Sequence, residues 1–133
     1  MRLWHKNLIP VLPRQQLLGQ WRECCLIAKN IHDKGTPNHI LVNKIMEYPI
    51  DHFFRYGIGV REEMTRRGYK CDVNKFKKYF ELPQYKFYRM DQIFPEWHND
   101  RYLRQCYYNL QEKYDCGGIT DEEWNLIEMG WYS

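Results

Sequence analysis

No stretch of useful length in this chain alternates apolar and polar residues with period two. Apolar residues instead recur every three to four positions, in segments opened by proline and closed by glycine. That period belongs to helices with one buried face, so the expected fold is all-α. The clearest segment is Pro13 to Asn30, PRQQLLGQWRECCLIAKN. Read at helical spacing, Leu17, Leu18, Trp21, Cys24, Cys25 and Ala28 form one apolar stripe. Gln15, Gly19, Arg22 and Glu23 fall together on another side. An amide, a guanidinium and a carboxylate around a glycine make either an ordinary solvated face or a site with room for close approach.

The helix limits follow from local chemistry. Met1 to Leu12 reads as an extended arm, because Pro10 and Pro13 limit regular structure. Its Leu3, Trp4, Leu8 and Ile9 suit packing against the domain. The first helix is expected from Pro13 to His32, stopped by Gly35. Thr36-Pro37 resembles an N-cap and first-turn proline for a short helix ending near Glu47, before Tyr48-Pro49. A third helix is expected from Pro49 to Arg67, ending at Gly68. Its Gly57 and Gly59 suit close packing against the first helix. Asp72 can cap a short basic helix from Val73 to Phe80. Residues 81–94 read as a surface loop. Pro95 opens a long helix to about Tyr114, with Leu103, Cys106, Tyr107, Leu110 and Tyr114 on its stripe. Thr120 to Glu123 form a capping box for a last short helix closed by Gly130. The expectation is one domain, residues 1–133, with about three long helices, some short ones and the arm set among them.

Composition narrows the function. With 44% apolar residues, eleven Tyr and five Trp, the chain can build a core without disulfides. Five cysteines lack any CxxC pair and are read as reduced, packed thiols in a cytoplasmic protein. Their spacing gives a zinc site poor support. No segment has the ~20 apolar residues of a membrane span, and the start of the chain lacks the apolar run of a signal peptide. The net charge is only +3, but it is unevenly placed. Residues 1–34 hold six Lys or Arg against two acids, residues 55–78 hold eight against three, and residues 112–133 hold one against six. Two basic stretches and an acidic end suit a polyanion bound on one side. Trp4 and Trp21 read as core. His39 and His98 are either site residues or, as a lone histidine more often is, hydrogen-bonded structural residues.

The block MRLWHKNLIPVLPRQQLLGQWRE resembles the start of the pyrimidine dimer DNA glycosylases, the endonuclease V-like family. The shared features are the short arm, Gln15, Leu17, the aromatic Trp21 and the Arg22-Glu23 pair. The likeness continues at Glu63-Met-Thr-Arg-Arg-Gly-Tyr69 and returns at Asn109-Leu-Gln-Glu-Lys113. The resemblance implies a small all-α DNA repair enzyme acting on damaged duplex DNA, with neither metal nor cofactor, and a protein this small with a one-sided site is expected to work as a monomer. It implies the N-terminal α-amine, here that of Met1, as nucleophile and Glu23 as the catalytic carboxylate. An α-amine titrates near ~7.7–8 against ~10.4 for lysine, so part of it is neutral at pH 7. A neutral amine can attack C1′ of a deoxyribose, expel the base and form a Schiff base. A carboxylate can stabilise that cation and shuttle protons. By the same carry-over, Arg2, Gln15, Arg22, Arg66, Arg67 and Lys113 would hold the lesion or its phosphates, with Trp131 and Tyr132 close by.

The chain also departs from the family. The bulky Arg2 keeps Met1 in place, which lengthens the arm by one residue. Leu26 and Asn109 stand where the family has basic residues, and the C-terminal end is acidic. These departures favour the alternative of a non-catalytic DNA-binding module on the same fold. No ligand spacing supports a metal-dependent nuclease.

Overall fold

The computed structural model describes residues 1–130, all of them helical or irregular, with no strand among them. Five α-helices carry the fold: α1 (Arg14–Lys34), α2 (Ile50–Arg66), the single turn α3 (Asn74–Lys77), α4 (Asp100–Asp115) and α5 (Asp121–Gly130). Short 3-10 helices at Lys6–Val11, Asn43–Glu47 and Met90–Gln92 join them. The all-α expectation and the three long helices hold.

Punctuation sets the long helices much as read. Pro13 is the N-cap of α1, and Gly35 ends it in the left-handed conformation at φ 73°. Pro49 caps α2, and Gly68 follows its end at φ 81°. The capping box forms: Thr120 Oγ1 accepts from Glu123 N–H, and Thr120 N–H donates to Glu123 Oε1, each at 3.1 Å. Glu123 does more than the box requires. Its other oxygen accepts from Arg14 N–H at 2.8 Å, so one carboxylate caps both α1 and α5. Burial alone would raise its pKa, but these bonds outweigh that and hold it below the usual value.

Several expectations are corrected. The arm is not extended throughout, since Lys6–Val11 winds into a 3-10 helix. Pro10 fits inside it because the fixed φ of proline lies within the 3-10 range. Thr36 opens no helix. Its Oγ1 accepts from Asn38 N–H at 3.1 Å, and Asn38 has φ 59°, so the chain turns and helix returns only at Asn43. The basic helix is one turn, Asn74–Lys77. Pro95 lies before the long helix, whose N-cap is Asn99, with Oδ1 accepting from Tyr102 N–H at 2.9 Å. The 81–94 loop runs over the surface but ends in Ile93 and Phe94, both fully buried. Gly57 and Gly59 do not admit α1. A Cβ on Gly57 would lie 2.1 Å from Phe76, and one on Gly59 would lie 2.6 Å from Met90.

The core explains these shapes. Phe76 of α3 inserts among Trp21, Phe53 and Phe54, with ring centroids 5.6–5.9 Å away, and welds α1 to α2. Tyr114 stacks on Trp124 at 5.0 Å, joining α4 to α5. Leu3, Leu8 and Leu12 are fully or almost fully buried, so the arm is part of the core and not an appendage. No described helix is long and apolar enough to cross a membrane.

Candidate active site

The arm is threaded to the helices by backbone hydrogen bonds to side chains. The centre of this network is Gln20 of α1, which is buried. Its Oε1 accepts from Trp4 N–H at 2.7 Å, and its Nε2 donates to the Arg2 carbonyl at 2.9 Å. The Tyr56 hydroxyl of α2 reaches the Trp4 carbonyl at 2.6 Å and lies 2.9 Å from Gln20 Oε1. From α4, the Tyr102 hydroxyl donates to the Leu3 carbonyl at 2.5 Å. Farther along, Lys6 N–H donates to Nδ1 of the buried His98 at 3.0 Å. Residues 2 to 6 are thus held by α1, α2 and α4 together.

This fixation brings Glu23 to the start of the chain. Glu23 Oε2 accepts from Arg2 N–H at 3.4 Å and lies 3.4 Å from Gln20 Nε2. Glu23 and Met1 are both half-buried, open to solvent yet held by packing. The Arg2 guanidinium lies over the Trp4 ring at 5.2 Å from its centroid. It also borders a cleft of about 480 Å³, whose other wall is α4, with Tyr102, Gln105, Asn109 and Glu112, together with Leu41 from the segment between α1 and the 3-10 helix at Asn43.

Arg2 and Glu23 therefore meet, with Met1 the next residue in the chain. Gln15 and Arg22 are exposed on α1, on the face Glu23 shares, and the Arg22 guanidinium covers Gly19 at 3.7 Å from where a Cβ would stand. Arg66 and Arg67 are engaged elsewhere. Both pair with the buried Glu63, Arg67 through Nε at 2.7 Å. Arg67 also donates to the carbonyls of Leu12 and Pro10 at 2.8 and 3.2 Å, pinning the end of the arm to α2. Lys113 is exposed near the end of α4. Trp131 and Tyr132 lie outside the described residues. Leu26 is half-exposed and apolar on α1, and Asn109 lines the cleft.

Sequence reasoning missed Gln20, Tyr56 and Tyr102. Gln20 did carry a signal, since an amide falls within the Leu17–Trp21–Cys24 stripe and a buried amide needs partners. The two tyrosines gave none, because their partners are backbone atoms 52 and 99 residues away. Of the two histidines singled out, His98 anchors Lys6, and His39 Nδ1 accepts from Leu41 N–H at 3.2 Å in a local turn. Burial raises the Cys24 thiol well above its usual value and brings Cys25 to about 11. Neither is an activated thiolate at neutral pH.

The class defined here is a small all-helical protein whose chain start is clamped beside a carboxylate. The chain belongs to the pyrimidine dimer DNA glycosylase family, whose model matches residues 1–78, more than half of the sequence. The match spans the arm, α1, α2 and α3, and with them Met1, Arg2, Gln15, Arg22, Glu23, Arg66 and Arg67. It ends before Asn109 to Lys113. No curated protein and no solved structure matches the chain significantly. The family name implies a DNA glycosylase and hence a DNA substrate.

Proposed function

We propose that this protein excises a damaged base from duplex DNA, a pyrimidine dimer by its family, and then cleaves the strand at the resulting sugar. The lone pair of the Met1 α-amine attacks C1′ of the damaged nucleoside, and the C1′–base bond breaks with its electrons leaving on the base. The amine sheds a proton as the sugar ring opens to the imine. Loss of a C2′ proton then expels the 3′ phosphate by β-elimination. The Glu23 carboxylate faces the developing positive charge and moves the protons. Exposed Gln15 and Arg22 meet the lesion or its phosphates, Arg22 as a bidentate ligand. Lys113 supplies a further phosphate contact, and Trp131 and Tyr132 an aromatic surface. Arg66 and Arg67 add positive potential but face DNA less freely, because each pairs with Glu63.

One observation carries this reading: Arg2 N–H donates to Glu23 Oε2, one residue from the amine that would react. Its test is borohydride trapping of untagged protein on an abasic duplex, with mass spectrometry of the adducted peptide. The expected adduct is on the Met1 amine, and Glu23→Gln lowers the trapping rate by about a hundredfold or more. DNA binding without an adduct would instead establish the non-catalytic module that Leu26 and Asn109 favour.

A further inference from the structure

Residues 36–42, between α1 and the 3-10 helix at Asn43, expose two adjacent aliphatic side chains. Ile40 is 85% exposed and Leu41 50%. The loop that carries them is braced. Asn30 Nδ2 donates to the Pro37 carbonyl, His39 N–H donates to Asn43 Oδ1, and the amides of Val42 and Asn43 return to the His39 carbonyl. Val42 and Ile45 behind the tip are fully buried. A rigid turn thus holds two large apolar side chains in water although buried positions lie within five residues.

The surroundings suggest what they meet. Leu41 borders two clefts, of about 480 and 340 Å³, which share Tyr102 and Gln105. The first holds Arg2, whose amide contacts Glu23; the second holds Lys44 and Arg101. Leu41 thus borders both hollows and Ile40 the second, and each hollow carries a cation. Glu112 in the first hollow repels phosphate and accepts from the N–H groups of a base, while Lys44 and Arg101 suit phosphates.

We propose that Ile40 and Leu41 form a wedge that enters the base stack beside the damaged nucleotide. Base extrusion leaves a gap in the stack, and an apolar side chain driven between base steps holds the duplex open and kinked. The wedge rests on the reading that the Met1–Glu23 site works on DNA. It assigns the opening of the duplex to a loop that takes no part in the chemistry.

The test compares wild type, Ile40→Ala/Leu41→Ala and, as a control, Met129→Ala, which removes another exposed apolar side chain, from α5. Each is trapped with borohydride on an abasic duplex and on the same abasic oligonucleotide as a single strand, which has no stack to open. A 2-aminopurine next to the abasic site in the duplex reports unstacking on binding, independently of chemistry. The double variant is expected to trap the single strand within about twofold of wild type, to trap the duplex about tenfold more slowly, and to lose the 2-aminopurine signal. Equal rates on the duplex, or an equal fall on both substrates, would overturn the wedge. If wild type traps neither substrate, the imine reading fails. The wedge is then judged by 2-aminopurine alone: a signal present in wild type and lost in the double variant supports it, and any other result overturns it.

Discussion

Replacing Gln20 by leucine keeps most of the side-chain volume and removes both of its hydrogen bonds to the arm, leaving only the longer Arg2–Glu23 contact between α1 and residues 2–4. In the native protein the buried amide accepts from Trp4 N–H at 2.7 Å and donates to the Arg2 carbonyl at 2.9 Å, with a longer contact of 3.4 Å to Glu23. The Tyr56 hydroxyl is not orphaned by the change, because the Trp4 carbonyl remains 2.6 Å away. Two good bonds are therefore lost, each worth about 1 kcal/mol net, and the buried Trp4 N–H is left unpaired at about 1–3 kcal/mol. The expected loss is about 3–5 kcal/mol, a large part of the ~5–15 kcal/mol that holds a domain folded. The check is urea unfolding followed by tryptophan fluorescence, together with hydrogen exchange of the Trp4 amide under native conditions. The arm should open more often than the rest of the molecule, so Trp4 exchange rises by more than that of amides in α2. Trapping should fall as well, since Arg2 and Glu23 lose their common neighbour. A stability change under about 1 kcal/mol, or unchanged Trp4 protection, would refute the view that this amide clamps the chain start.

Further outcomes follow from the same geometry. Gly57→Ala forces a Cβ to 2.1 Å from the ring of the buried Phe76 and should destabilise by about 2–3 kcal/mol. Gly59→Ala meets the flexible end of Met90 and should lower stability by less than about 1 kcal/mol beyond the helix propensity it gains; both are read from urea midpoints. Arg67→Ala leaves the buried Glu63 with only the exposed Arg66 and frees the end of the arm, for about 3 kcal/mol or more in the same assay, whereas Arg66→Ala should lower stability by under about 1 kcal/mol. Burial lowers the His5 pKa from 6.5 to about 4 and pushes that of His98 well below the usual value. The unfolded chain then binds more protons than the fold below pH 6.5, so stability is full above that value and declines as pH falls toward 4. Melting temperature should already drop between pH 7 and 5.5, where carboxylates stay ionised, and a flat profile there would contradict the neutral His5–His98 stack.

Much of this protein was legible in its sequence. Helix class, the limits of α1 and α2, the capping box and the Arg22-Glu23 face all depend on residues within a turn or two of one another. Propensity, proline, glycine and caps act at that range. The errors fell where local signals competed. Thr36-Pro37 reads as a helix start, but the Thr36 hydroxyl is used two residues on and Asn38 takes a left-handed turn. Pro95 reads as an N1 residue, yet the buried Phe94 and His98 hold that segment in turns until Asn99 can cap.

The site divides in the same way. The sequence by itself determined that Glu23 and Arg22 share a helix face, because helical spacing alone decides that. Only the tertiary structure decided that Arg2 N–H meets Glu23, that Gln20, Tyr56 and Tyr102 hold the arm there, and that Arg67 is drawn to the end of the arm. It also decided that Leu41 borders two clefts, the second of which Ile40 shares. These contacts join residues far apart in the chain. Their existence depends on how several helices pack at once, and packing leaves no periodic trace in any one segment.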